Sequence, residues 1–309
     1  MSFHNMRVGM VLFLGNSAKY AIQLVALLLI TICLCVRSAA GSDELLVVGD
    51  MRLKPVVQMV AGIEDAMDRR VQVYSPTEVK GKLSALVEQH EARTVIALGR
   101  QSIKEALTLP SSITVLYNLV ILPPHIDRPN TAGLYMGTPI KEYLSLITTY
   151  LPDLRKICVI ASPQVLSVLD NNAVPQLTVY KVTNTFDFVD NIKKLKGVDA
   201  LLLLPDISLL TKKAFEEIYL FSFRQKVPLL GISKKNVRQG ALLALEFDPE
   251  SSGHSLGMMA RDSLKRHEFV KNQALPPQHF NLYINRKTAK KMDIVIPEEM
   301  FKMANTVYP

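Results

Sequence analysis

From Asp43 onward the sequence alternates short, continuous apolar runs rich in β-branched residues with segments of helical period, and this alternation leaves few folds open. The first four runs are LLVVGD at 45–50, VQVYS at 71–75, TVIALG at 94–99 and ITVLYNLVI at 113–121. Runs this short and unbroken by polar residues are what strands buried on both faces look like. Between them, residues 79–90 and 101–107 carry helix-spaced apolar positions, so strand, helix and strand succeed one another at the spacing of a parallel sheet. The stretch 122–131, LPPHIDRPNT, is proline-rich and polar and reads as a loop or crossing segment.

A second series of the same kind follows. Thr138 and Pro139 offer a capping hydroxyl and a proline at the first helical position, ahead of an apolar stripe of Ile140, Tyr143, Leu144, Ile147 and Leu151. Strands are expected at 157–162, 177–182, 200–206 and 227–233, with a helix over 211–225. The fold expected is therefore α/β, with two doubly wound parallel-sheet lobes joined by a hinge. The first lobe is expected over 43–137 and the second over 138–254. The 309 residues suffice for two such lobes.

Ahead of this unit, AIQLVALLLITICLCV at 21–36 follows Lys19 and precedes Arg37, Ser38, Ala39 and Ala40. A basic start, an apolar stretch shorter than the roughly 20 residues of a spanning helix and small residues before a cleavage point after Ala40 match a signal peptide. The same segment left uncleaved would be an N-terminal anchor. Either way the protein is expected outside the cytoplasm, in the periplasm or tethered to the inner membrane. Cys33 and Cys35 fall in the leader, so the remainder keeps only Cys158, which cannot form an internal disulfide and reads as a small buried hydrophobe.

Removing residues 1–40 lowers the net charge from +8 to +5. The cations that remain lie in scattered pairs, Lys193–Lys194, Lys212–Lys213, Lys234–Lys235 and Lys290–Lys291, which read as solvated helix faces and not as a nucleic-acid footprint. Signatures of phosphate loops, dinucleotide turns, zinc-protease helices and nucleophile elbows are absent, and the six histidines are dispersed without ligand spacing. No enzyme activity, cofactor or metal is expected.

In open parallel sheets ligands bind beyond the carboxyl ends of the strands. The polar residues expected there, and hence the candidate ligand contacts, are Gln101, Ser102, Asn118, Ser162, Asp206 and Ser233. Asp206 is the most suggestive carboxylate, able to hold a ligand amine or to cap the helix that follows.

Several segments in order resemble the ABC transporter substrate-binding proteins, in the group that includes tryptophan and tyrosine binders. They are LPDLRKI at 151–157, GVDA at 197–200 followed by Pro205 and Asp206, VPLLG at 227–231, VRQGAL at 237–242 and INRKTAKK at 284–291. The resemblance implies a two-lobed protein that closes on a small solute, such as an amino acid, and delivers it to a membrane permease; it also implies a hinge crossed more than once, so that the C-terminal segments 255–309 complete the first lobe. First-lobe departures stand against carrying over a specificity: Gly99-Arg100-Gln101-Ser102 replaces a common Gly-Thr-x-Ala-Ala, and Asn118-Leu119 replaces Asp-Pro. They also motivate an alternative, a membrane-tethered sensing or envelope-assembly partner that uses the fold without transport.

Overall fold

The structure, a computed structural model, describes residues 44–169, 176–266 and 270–309. The segment expected to be a leader, with its expected cleavage point, lies outside the described residues. Four expected runs form β1 (Leu45–Val48), β2 (Gln72–Tyr74), β3 (Thr94–Leu98) and β4 (Thr114–Asn118). With β5 (Thr131–Leu134) and β11 (Gln273–Leu275) they make a six-stranded sheet in the order β11-β5-β4-β3-β1-β2, every pair parallel. Alternate residues of β1 serve opposite faces. Leu45 and Val47 pack with Met59 and Ile63 of α1 (Lys54–Met67) and Leu256 of α10 (Pro249–Arg266). Leu46 and Val48 pack with Val79 of α2 (Pro76–Val79), Leu83 and Val87 of α3 (Leu83–Gln89) and Ile103 of α4 (Arg100–Ala106). The helix expected over 79–90 is thus two helices, broken where Gly81 takes a left-handed φ of 67°.

The second sheet contains β6 (Ile157–Ala161), β7 (Leu177–Lys181), β8 (Ala200–Leu202), β9 (Leu229–Gly231), β10 (Leu243–Phe247), β12 (Phe280–Asn285) and β13 (Thr306–Tyr308). Its order is β13-β12-β10-β9-β8-β6-β7, parallel throughout except for the antiparallel β10–β12 pair. One face packs on α5 (Ile140–Tyr150), whose stripe Ile140, Tyr143, Leu144 and Ile147 is fully buried with Leu151. The other packs on α7 (Thr185–Lys194), α8 (Lys212–Gln225) and α9 (Lys234–Gln239), through Phe188, Ile192, Ile218 and Val237. Cys158 sits in this second core, where burial pushes its thiol up to about 12; it is packing, not a nucleophile.

The lobes are stitched by three crossings: β5 to α5, β10 to α10, and β11 to β12. Placement of the C-terminal segment therefore corrects the expectation that 255–309 as a whole completes the first lobe. Helix α10 and β11 join the first lobe, but β12, α11 (Arg286–Lys291), α12 (Glu298–Met303) and β13 return to the second. The reason lies in β12, whose alternating apolar residues Leu282 and Ile284 register against Leu245 and Leu243 of β10. A further correction concerns Thr138. Its hydroxyl donates to the Leu245 carbonyl instead of capping α5, and Pro139 is the N-cap residue itself.

Contact between α1 and α10 is the closest in the molecule. A Cβ at Gly62 would lie 2.0 Å from the Glu250 carbonyl oxygen, and one at Gly253 would lie 2.1 Å from that of Met59. Two backbones this close require glycine on both sides. The proline-rich stretch is fixed differently, by Arg128, whose guanidinium donates to the carbonyls of Pro110 and Ile113, each at 2.7 Å, and to Asn130. One arginine thus bridges the carbonyls of three positions around this loop.

Candidate functional site

Between the lobes lies a cavity of about 610 Å³. Its first-lobe wall consists of Arg100 and Ile103 of α4 and the segment 119–125 that leaves β4; its second-lobe wall consists of Ser162, Gln164, Val165 and residues 205–208. These are the loops beyond the carboxyl ends of β3, β4, β6 and β8, where a doubly wound sheet places a ligand.

On the second-lobe side Asp206 organises the wall. It is buried, and its Oδ2 accepts the Ser162 N–H at 2.9 Å while Oδ1 accepts the Ser208 N–H at 3.2 Å and hydroxyl at 2.6 Å. Burial alone would push this carboxyl up, but the hydrogen bonds from Ser162 and Ser208 prevail and hold it below the usual carboxylate range. It is therefore an anion at neutral pH. Its charge faces the cavity between the two serine-bearing loops. Asp206 does not cap the next helix; Thr211 does, accepting from Ala214 N–H. A strand-end acid in this fold ties two neighbouring loops together.

The first-lobe wall is mainly apolar. Leu119, Val120, Ile121, Leu122, Pro123 and Pro124 line it, and the carbonyls of Val120 and Ile121 accept from Met136 and Gly137 of the first hinge crossing, at 2.8 and 3.0 Å. Arg100 and His125 supply its polar groups. Among the described residues Arg100 has no ion-pair partner.

Of the six expected contacts, Ser162 and Asp206 lie on the cavity and four do not. Ser102 is fully buried and its hydroxyl donates to the Leu98 carbonyl, one turn back. Asn118 is buried at the end of β4; its side-chain oxygen accepts from Leu119 N–H and its Nδ2 has no partner. Gln101 is exposed on α4, away from the cavity lining. Ser233 caps α9, accepting from Asn236 N–H and donating to Asn236 Oδ1. Sequence reasoning missed Arg100, His125, Gln164 and Ser208 as lining residues. Arg100 carried a signal, since it is the first helical residue after the strand-end Gly99. Leu119 carried none: its left-handed φ of 60° is a property of the folded loop. Among the described residues no cluster of His, Cys, Asp and Glu is arranged to hold a metal, and no helix is long and apolar enough to cross a membrane.

Two doubly wound lobes, threefold stitching and a cavity at facing strand ends define a bilobed α/β clamp of the periplasmic-binding-protein-like class. The chain belongs to the ABC transporter substrate-binding protein family, whose model matches residues 117–308. The structure is similar to the ligand-free, open structure of a substrate-binding protein with adhesive properties from Clostridium difficile, with TM-score 0.61 and 14% identity over 86% of this chain and 98% of that one. It is similar also to an ABC domain in complex with L-Trp from Streptococcus pneumonia, with TM-score 0.52 and 17% identity over 85% and 98%. A conserved domain protein from Vibrio cholerae gives the same TM-score, 16% identity and the same coverage. At these identities the likeness establishes the fold. No curated protein matches the sequence.

Proposed function

We propose that the protein is the extracytoplasmic solute-capturing component of an ABC-type uptake system, and that its cavity takes a small zwitterionic solute, an amino acid or a close relative, for delivery to a membrane permease. The observation that carries this reading is the pairing across one cavity of an arginine without an ion-pair partner, Arg100, with an anionic carboxylate, Asp206. A guanidinium suits a ligand carboxylate, and the negative charge of Asp206 suits an ammonium. The apolar segment 119–124 would cover the solute's side chain. Family membership supports the transport role, and the L-Trp held by one similar structure makes amino acids the first solutes to try. In this reading the protein binds without catalysis: Asp206 is held as an anion by two serines and Cys158 is inert.

Thermal unfolding with each of the common amino acids at millimolar concentration tests the proposal. A ligand at 100 times its Kd adds about 2.7 kcal/mol to stability, a rise of several degrees. Arg100→Gln should leave the ligand-free unfolding temperature in place and weaken binding about tenfold, the worth of one charge-assisted contact. A flat response to every solute would overturn the reading.

A further inference from the structure

The fold gathers cations that the sequence scatters. Two of the four lysine pairs, Lys234–Lys235 and Lys290–Lys291, come from helices α9 and α11, which are 50 residues apart in the chain and adjoin in space. Asn285 Nδ2 donates to the Val237 carbonyl at 2.9 Å, and Thr288 Oγ1 donates to the Gly240 carbonyl at 3.1 Å, fastening the start of α11 to the end of α9. The C-terminal half of α8 closes the group, with Phe223 against Gly240 and its ring under Lys291.

Neither small helix contains an acid: α9 reads KKNVRQ and α11 reads RKTAKK. All of their cations are exposed, and Arg224 and Lys226 of the neighbouring α8 end add two more. Two acids stand beside these cations: Asp293 is paired with Lys226 at 2.7 Å, and the half-buried Glu246 accepts the Lys234 N–H at 3.1 Å. Each helix also begins with two cations, where the helix dipole favours acids, so the arrangement opposes local stability. Apolar side chains stand among these charges in water. Phe223 and Leu220 are more than two-fifths exposed, and Val295, just past α11, is 88% exposed, the highest of any large apolar residue described.

A cationic surface studded with exposed apolar side chains fits one kind of partner well, the headgroup layer of an anionic bilayer. There cations are drawn to the surface potential and the apolar side chains enter the acyl boundary. We propose that the face formed by α9, α11 and the end of α8 docks the second lobe on anionic lipid. Such docking would hold the clamp against the membrane while leaving the cavity on the loops beyond β6 and β8 free.

Vesicle flotation of the full-length protein tests this, with phosphatidylcholine vesicles and the same vesicles containing about one-third phosphatidylglycerol. The leader is common to every sample, so the preference for the anionic vesicles is what is read. Neutralising Lys235, Lys287, Lys290 and Lys291 to Gln should reduce that preference several hundredfold, at about 5-fold per cation near the surface. The same change at first-lobe lysines Lys54, Lys80, Lys82 and Lys104, all exposed, should leave it within about 3-fold. Val295→Asp should weaken it further with no change in unfolding temperature. Equal binding to both vesicles, or an equal loss in the first-lobe control, would overturn the proposal. Solute binding by the second-lobe variant, read by thermal shift, separates a failure here from a failure of the transport reading.

Discussion

The two walls of the cavity are built on opposite plans. The second-lobe wall is polar and cross-linked: one carboxylate draws in backbone and hydroxyl donors from two loops, so Ser162, Asp206 and Ser208 hold their places without a ligand. The first-lobe wall is an apolar strap, residues 119–125, anchored by the Asn118 side chain at Leu119 and by the hinge crossing at Met136 and Gly137. In the proposed solute-binding role, the second-lobe wall would present fixed groups, and the first-lobe strap would connect occupancy of the cavity to movement of the crossing.

The contrast extends to how each lobe is held together, and that is where it can be broken hardest. In the first lobe the main clamp is backbone against backbone at α1 and α10. Gly253→Val should cost about 3 kcal/mol or more, because the new atoms meet the Met59 carbonyl and α-carbon and not a side chain that could swing away. Urea unfolding should show the midpoint fall with the first-lobe signal leading. If the variant keeps wild-type stability, the two helices are not the clamp. Arg128→Met should cost about 2–3 kcal/mol, since it strips donors from several loop carbonyls at once. A loss under about 0.5 kcal/mol would mean water satisfies them as well.

The second lobe relies on a single hydroxyl instead. Tyr143 is fully buried, donates to the carbonyls of Gly231 at 2.7 Å and Leu245 at 3.0 Å, and accepts from Leu245 N–H. Burial pushes its phenol far above the ordinary range, so it stays protonated at any working pH. Tyr143→Phe should cost about 1–2 kcal/mol, less than either first-lobe change, because Thr138 still donates to Leu245. An equal or larger loss would reverse the ranking of the lobes.

Most of the architecture was legible because it is written in period. Parallel strands are apolar runs, and eight of them stood out, six fully buried and two, β2 and β7, at sheet edges with exposed positions; α5 showed its stripe from Ile140 to Leu151. What escaped were elements defined by partners. The strand β5 is four residues, TAGL, recognisable only beside β4, and β12 was credited to the wrong lobe because its pairing with β10 is a matter of register across the chain. At the site the sequence marked strand ends correctly but could not rank them. Ser162 and Asp206 reach the cavity, whereas Ser102, Asn118 and Ser233 turn back on their own loops, a choice made by side-chain direction and not by residue type.

The smallest effect probes the second-lobe wall through its charge. Asp206 has its folded-state carboxyl held below the usual range by Ser162 and Ser208, against the opposing push of burial. A group depressed in the folded state contributes stability that is fully present above its unfolded value, near 3.9, and lost as pH falls through the folded one. Asp206→Asn abolishes that contribution and turns an amide donor toward one of the N–H groups it formerly satisfied, a loss of about 1 kcal/mol at neutral pH. The wild-type advantage should therefore be constant above about pH 5 and shrink below pH 4. Chemical denaturation of both proteins across pH 3–7 measures the difference. A gap that stays constant into acid would mean that the carboxylate's charge contributes nothing to that wall, and the two walls would then differ in polarity but not in rigidity.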